Sequence, residues 1–157
     1  MAGFGEPGVS TVDARGLTVG IVAARWHGDL TDHMLARAIE AAKACAAADI
    51  VVARVAGSVE LPVVAQALAR SCDVVVALGV VVRGATAHFD YVCKSVTEGL
   101  TRVALDASKP VAHGVLTVNT IEQARDRAGL PGSAEDKGWS ATVAALDAAL
   151  AIRALSV

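Results

Sequence analysis

With 157 residues, 54% of them hydrophobic, the chain is long enough for one domain with a buried core. Charged residues make up 19%, below the about 25% of an average globular domain, so part of the surface is expected to meet other copies of the chain. The net charge of −2 with no basic block argues against nucleic acid, no apolar run reaches the roughly 20 residues that cross a bilayer, and no signal-peptide pattern opens the chain, which sets a cytoplasmic expectation.

Residues 1–16 read as an arm, because Gly3, Gly5, Pro7 and Gly8 do not support a helix and Asp13 to Gly16 reads as a turn. Residues 17–157 read as a single domain. Leu17 to Ala24 is the first predicted strand, followed by a loop at Trp26, His27 and Gly28. Asp29 to Ala47 predicts a helix, with Leu30, Met34, Ala38 and Ala42 along one face. A second strand runs from Ile50 to Ala56 and a loop from Gly57 to Leu61. Pro62 suits the first turn of a short helix ending at Arg70.

Val74 to Val82 is a third strand, apolar on both faces, as a strand covered by helices on two sides should be. Arg83 to Ala87 then forms a turn. Phe89, Val92, Val96, Leu100 and Val103 repeat at helical spacing after it. Val111 to Leu116 is a fourth strand. Thr120 and Gln123 have the spacing of a capping box, opening a short helix to about Ala128 that Gly129 to Gly132 ends. A last helix is expected from about Glu135 to Ala154, with Trp139, Val143, Leu146 and Leu150 inward. Alternating strands and helices predict a three-layer α/β/α sandwich around a four-stranded parallel sheet, a flavodoxin-like arrangement. Cys45, Cys72 and Cys93 have neither metal nor redox spacing and read as reduced structural thiols; no metal site and no cofactor are expected.

In such a sheet ligands sit beyond the carboxyl ends of the strands, so chemistry is sought in the segments Arg25–His27, Gly57–Leu61, Arg83–His88 and His113–Asn119. Gly84, Ala85 and Thr86 could hold an anion through backbone N–H groups and a hydroxyl, or Thr86 could be a plain cap. His88 stands beside that turn, and imidazoles exchange protons near neutrality. Trp26 could stack on a planar heterocycle or plug the core edge. Glu60 could accept from a polyol or complement the following helix. Arg127 and Lys137 flank the Gly129–Gly132 turn, where a guanidinium could pair with phosphate or simply be solvated.

In combination these motifs resemble the 6,7-dimethyl-8-ribityllumazine synthase family, over about Leu17 to Leu155. The stretches that carry the likeness are Gly57-Ser58-Val59-Glu60-Leu61-Pro62, Ala77 through Val92, Gly114 through Thr120, Asp126-Arg127-Ala128-Gly129 and Lys137-Gly138. The resemblance implies condensation of 5-amino-6-(D-ribitylamino)uracil with 3,4-dihydroxy-2-butanone 4-phosphate, a transferase reaction of riboflavin biosynthesis. It implies Trp26 stacking on the pyrimidine, with Ser58, Val59, Val80 and Val81 lining it and Glu60 on the ribityl hydroxyls. It implies Gly84, Ala85 and Thr86 as the phosphate turn, Arg127 as a phosphate-binding arginine from an adjacent subunit, His88 as the proton-transfer residue and Lys137 near the pyrimidine.

His113 departs from the family pattern, where asparagine is expected at a position reaching the pyrimidine across the subunit boundary. The family's sites lie between neighbours in a ring of five, and the turn from Gly132 to Lys137 resembles that of pentameric members more than that of capsid formers. A non-catalytic flavin- or lumazine-binding protein, or a shell protein, on the same scaffold is the alternative.

Overall fold

The computed structural model of the chain describes residues 4–8 and 10–156; Met1 to Gly3 and Val9 of the expected arm, and Val157, lie outside them. Four strands form one parallel sheet: β1 (Thr18–Ala24), β2 (Asp49–Val55), β3 (Val74–Val82) and β4 (Val111–Val118). Their order is β2-β1-β3-β4. The register pairs Val19 with Ile50 and with Val74, and Val75 with Val111. The helices between them are α1 (Gly28–Ala44), α2 (Leu61–Ala69), α3 (His88–Ala107), α4 (Ile121–Arg125) and α5 (Lys137–Leu155), with a 3-10 turn at Ser58–Glu60 before α2.

Side chains alternate across a strand, and the two central strands divide the core accordingly. Val19, Ile21 and Ala23 of β1, with Val74, Val76, Leu78 and Val80 of β3, join one core with α1 and α5. Val22 and Ala24, with Val75 and Ala77, join a second core with α2 and α3. The three-layer expectation therefore holds, and the uninterrupted apolar run of β3 has its reason: both of its faces are covered.

Several boundaries shift. β4 continues through Thr117 and Val118, because these pair with Val81 and Val82 of β3. α1 stops at Ala44, and α4 stops at Arg125, where Asp126 caps it. α5 starts at Lys137, where the Asp136 carboxylate accepts from the Trp139 N–H at 3.4 Å. The capping box is as expected: Thr120 Oγ1 accepts from the Gln123 N–H at 3.3 Å, and Gln123 Oε1 accepts from the Thr120 N–H at 3.3 Å. The arm is not wholly free, for Ala14 is fully buried and its N–H donates to the Cys45 carbonyl at 2.8 Å.

On α3, Val96, Leu100 and Val103 are buried, whereas Phe89 and Val92 are half-buried. By length and composition α5 could cross a membrane, which the sequence reading did not anticipate. One face of it packs into the core, with Ala141, Val143, Ala145, Leu146 and Ala149 buried, while residues 151–155 are exposed.

Candidate active site

The strand order reverses between β1 and β3, so the loops leaving those strands flank a crevice at the carboxyl edge of the sheet. Trp26 leaves β1 there and stays 68% exposed. His27 follows in the left-handed region at φ 54°, turning the chain sharply into α1. The indole lies along Gly57, where a Cβ would sit 3.2 Å from Trp26 Cδ1. Glycine at 57 thus lets the loops after β1 and β2 touch. The Gly57 N–H donates to Glu60 Oε2 at 2.9 Å, so the carboxylate ties its own 3-10 turn.

Ser58 sits beneath, 6% exposed, and its hydroxyl has no hydrogen-bond partner among the described residues. A Cβ on Gly79 would come within 2.5 Å of Ser58 Oγ, so glycine at 79 in β3 makes room for that hydroxyl. Buried polar groups are normally paired, and an orphan at a crevice invites a partner from outside the chain. Val80 is buried and Val81 half-buried at the end of β3, while Val59 faces solvent.

The turn after β3 is open. Gly84, Ala85, Thr86 and His88 are all exposed. None of the backbone N–H groups of Gly84, Ala85 and Thr86 donates a hydrogen bond among the described residues. Thr86 Oγ1 accepts from the His88 N–H at 3.3 Å, which ties the turn to the start of α3 just ahead of its N-cap residue Ala87. Three spare donors before a 20-residue helix suit an oxyanion.

Arg127 and Lys137 form a second cluster, while His113 lies on the face of β4 turned to α3. His113 is not in a post-strand loop. It is the third residue of β4, opposite Ala77 and five residues short of the strand's end, a distance of about 16 Å along the strand. Its Nε2 lies 3.3 Å from Thr97 Oγ1 of α3. Arg127 and Lys137 come together because an antiparallel bridge pairs Ala128 with Asp136, and the Lys137 N–H donates to the Arg127 carbonyl at 3.0 Å. Glu135 stands between them, with its oxygens 3.9 Å from Arg127 Nε and 3.7 Å from Lys137 Nζ. The sequence reading missed Glu135, since only the bridge brings it to both cations. No hydrogen bond or ion pair among the described residues joins this cluster directly to Trp26, Ser58, Glu60, Thr86 or His88.

His113 is exposed on β4, yet the protein packed around its ring lowers its pKa below the ordinary 6.5, with the Lys137 cation adding a smaller push in the same direction, so the effect on stability is small. The folded chain therefore binds a proton at His113 less readily than the unfolded chain does. As pH falls through 6.5, protons bind preferentially to the unfolded state and stability is lost. We expect His113→Asn to lose less thermal stability than the parent chain between pH 7 and pH 5. Melting curves across that range check this, and parallel pH profiles for the two proteins would contradict it.

Among the described residues, no group of three or more His, Cys, Asp or Glu side chains could hold a metal ion. A family model for 6,7-dimethyl-8-ribityllumazine synthase matches residues 16–153.

The chain belongs to that family.

The 6,7-dimethyl-8-ribityllumazine synthase of Salinispora arenicola is 83% identical over 156 residues, covering 99% of this chain and 94% of its own length. That of Thermobifida fusca is 62% identical, covering 99% and 91%. That of a Mycobacterium species (strain KMS) is 57% identical, covering 98% and 96%. As a lumazine synthase family member the chain is a transferase. Its family motifs fall on the elements just described: Gly57 to Pro62 on the 3-10 turn and the start of α2, Ala77 to Val92 on β3 and the start of α3, and Lys137-Gly138 on the first turn of α5.

Proposed function

We propose that the chain condenses 5-amino-6-(D-ribitylamino)uracil with 3,4-dihydroxy-2-butanone 4-phosphate, giving 6,7-dimethyl-8-ribityllumazine, phosphate and water, in sites completed between neighbouring copies. One observation supports the shared site: each chain carries two complementary sets of groups that no direct hydrogen bond or ion pair joins among the described residues. One set is an open shelf with an exposed indole, an orphan hydroxyl and three unspent N–H donors. The other is a cationic patch at Arg127 and Lys137. Two surface hollows, of about 390 and 340 Å³, lie instead at the amino edge of the sheet, around Arg70 and Lys109 and around Leu105 and Ile152. A second copy is what would roof the shelf.

In this reading Trp26 stacks on the pyrimidine, Ser58, Val59, Val80 and Val81 line it, and Glu60 accepts from ribityl hydroxyls. Gly84, Ala85 and Thr86 hold the phosphate, and His113, Arg127 and Lys137 arrive from the neighbour. The uracil amine attacks the ketone to form an imine, phosphate leaves, and the ring closes. Each step moves a proton, which His88 is placed to relay. Holding two substrates in register supplies much of the rate. Five copies in a ring, in the cytoplasm, complete the reading. The matched relatives carry the synthase name, which leaves a non-catalytic lumazine- or flavin-binding role without support.

The direct test mixes purified protein with both substrates and follows lumazine fluorescence and phosphate release together. Equal amounts of the two products are expected; neither product, or phosphate alone, refutes the reaction. Arg127→Ala should raise KM for the butanone phosphate about tenfold or more, the size of one lost charge-assisted contact, and leave the pyrimidine KM within about twofold. An unchanged ketone KM refutes the role of Arg127. Light scattering should give the mass of five chains, and a monomer at assay concentration would refute the shared site.

A further inference from the structure

Arg83 closes β3, its N–H donating to the Val118 carbonyl at 2.9 Å. Its guanidinium then meets three neighbours. Nε donates to Asn119 Oδ1 at 2.8 Å, one terminal nitrogen lies 3.5 Å from Asp90 Oδ1, and the group stands 4.4 Å from the centre of the Phe89 ring. Asp90 and Phe89 belong to the first turn of α3, next to His88. Asn119 is held from its other side, its N–H donating to Gln123 Oε1 at 2.8 Å. The Gln123 carbonyl in turn accepts from Arg127 at 2.9 Å. A continuous line of contacts thus runs from the turn after β3 to the arginine of the cationic patch.

We propose that Arg83 and Asn119 are positioning residues for the phosphate-bearing substrate. Arg83 clamps the start of the Gly84–Thr86 turn to the end of β4 and to the first turn of α3, and Asn119 passes that geometry through Gln123 to Arg127. The inference rests on the reading that this turn holds phosphate. The turn needs a clamp from outside: its own amides make no hydrogen bonds among the described residues, and the Thr86–His88 contact is its one internal tie. A floppy turn would have to be ordered by the ligand, which weakens binding. Arg83 has its Nε committed to Asn119, a terminal nitrogen beside Asp90 and one face on Phe89, contacts that tie it to the elements flanking the turn. In each copy the clamp organises the turn of one site and, through Gln123, the arginine offered to the next.

Arg83→Lys keeps the positive charge but loses the planar fork. Asn119→Ala removes the acceptor with no change in charge and leaves the backbone bond to Gln123 in place. Each should raise the ketone KM and the inhibition constant of inorganic phosphate together, about five- to tenfold. The pyrimidine KM should stay within about twofold and the melting temperature within a few degrees. The double variant should be no worse than the poorer single one, because both changes break one link.

Unchanged phosphate inhibition in either variant, equal shifts for both substrates, or effects that multiply in the double variant would overturn the proposal. Thr86→Ala separates the two levels of the argument. If it weakens phosphate inhibition while Arg83→Lys does not, the clamp fails alone; if neither variant does, the phosphate reading of the turn fails with it.

Discussion

His88→Ala is expected to lower kcat about a hundredfold while leaving KM for both substrates within about threefold. The imidazole sits on the first residue of α3, exposed at the turn, with its backbone N–H spent on Thr86 Oγ1. It is therefore free to reach a bound substrate and does no structural work that its loss would undo. General acid–base groups contribute typically 10²–10⁴-fold. The lower end is expected here because this condensation draws heavily on two substrates held side by side, and that benefit survives the substitution. Single-turnover measurements across pH decide the matter: a rate within about twofold of the parent at every pH would remove His88 from the mechanism. A melting temperature unchanged by the substitution would show that the loss is chemical.

Gly138→Ala is the stability counterpart, with an expected loss of more than about 3 kcal/mol. Helix propensity alone predicts the opposite sign, since alanine stabilises a helix by roughly 1 kcal/mol over glycine. Packing decides. A Cβ at 138 would overlap the Met34 carbonyl oxygen and stand 3.0 Å from its carbonyl carbon and 3.2 Å from its Cα. All three are backbone atoms of α1 and no rotamer change moves them away, so α5 must lift off α1. The same turn carries the Asp136 carboxylate, 2.7 Å from Arg37 Nε, and Lys137, bonded through its N–H to Arg127. Activity should fall with stability, because the cationic patch rides on that contact. Calorimetry at matched protein concentration should show a drop of about 10 °C; a melting temperature within about 2 °C of the parent would mean that the close approach does not matter.

Much of this molecule is legible in short windows of sequence. The bounds of β3 agree to the residue, since an apolar β-branched run between turn residues has few other readings. Thr120 and Gln123 announce α4 because a capping box is chemistry within four residues. The glycine turn and His88 are visible as a strand end followed by a helix start. Less legible are the features made by contact at a distance. Thr117 and Val118 resemble a loop until β3 offers them a ladder. His113 falls within the predicted fourth strand, but only the register shows how far it lies from that strand's carboxyl end, where ligands are sought. Glu135 looks like ordinary surface charge until a bridge places it between Arg127 and Lys137.

By itself, then, the sequence determined the alternation of strands and helices, the glycine turn with its histidine and the family likeness, all written in periodicity, capping and motif spacing that span a few residues. The tertiary structure decided which of those groups share an edge. It sets Trp26, Ser58 and the Gly84–Thr86 turn after three neighbouring strands, keeps Arg127 and Lys137 in a second cluster, and strings Arg83, Asn119 and Gln123 between the turn and Arg127. The physical reason is that strand order, register and helix crossings are set by burying two apolar cores at once, a balance over the whole chain that no local window contains.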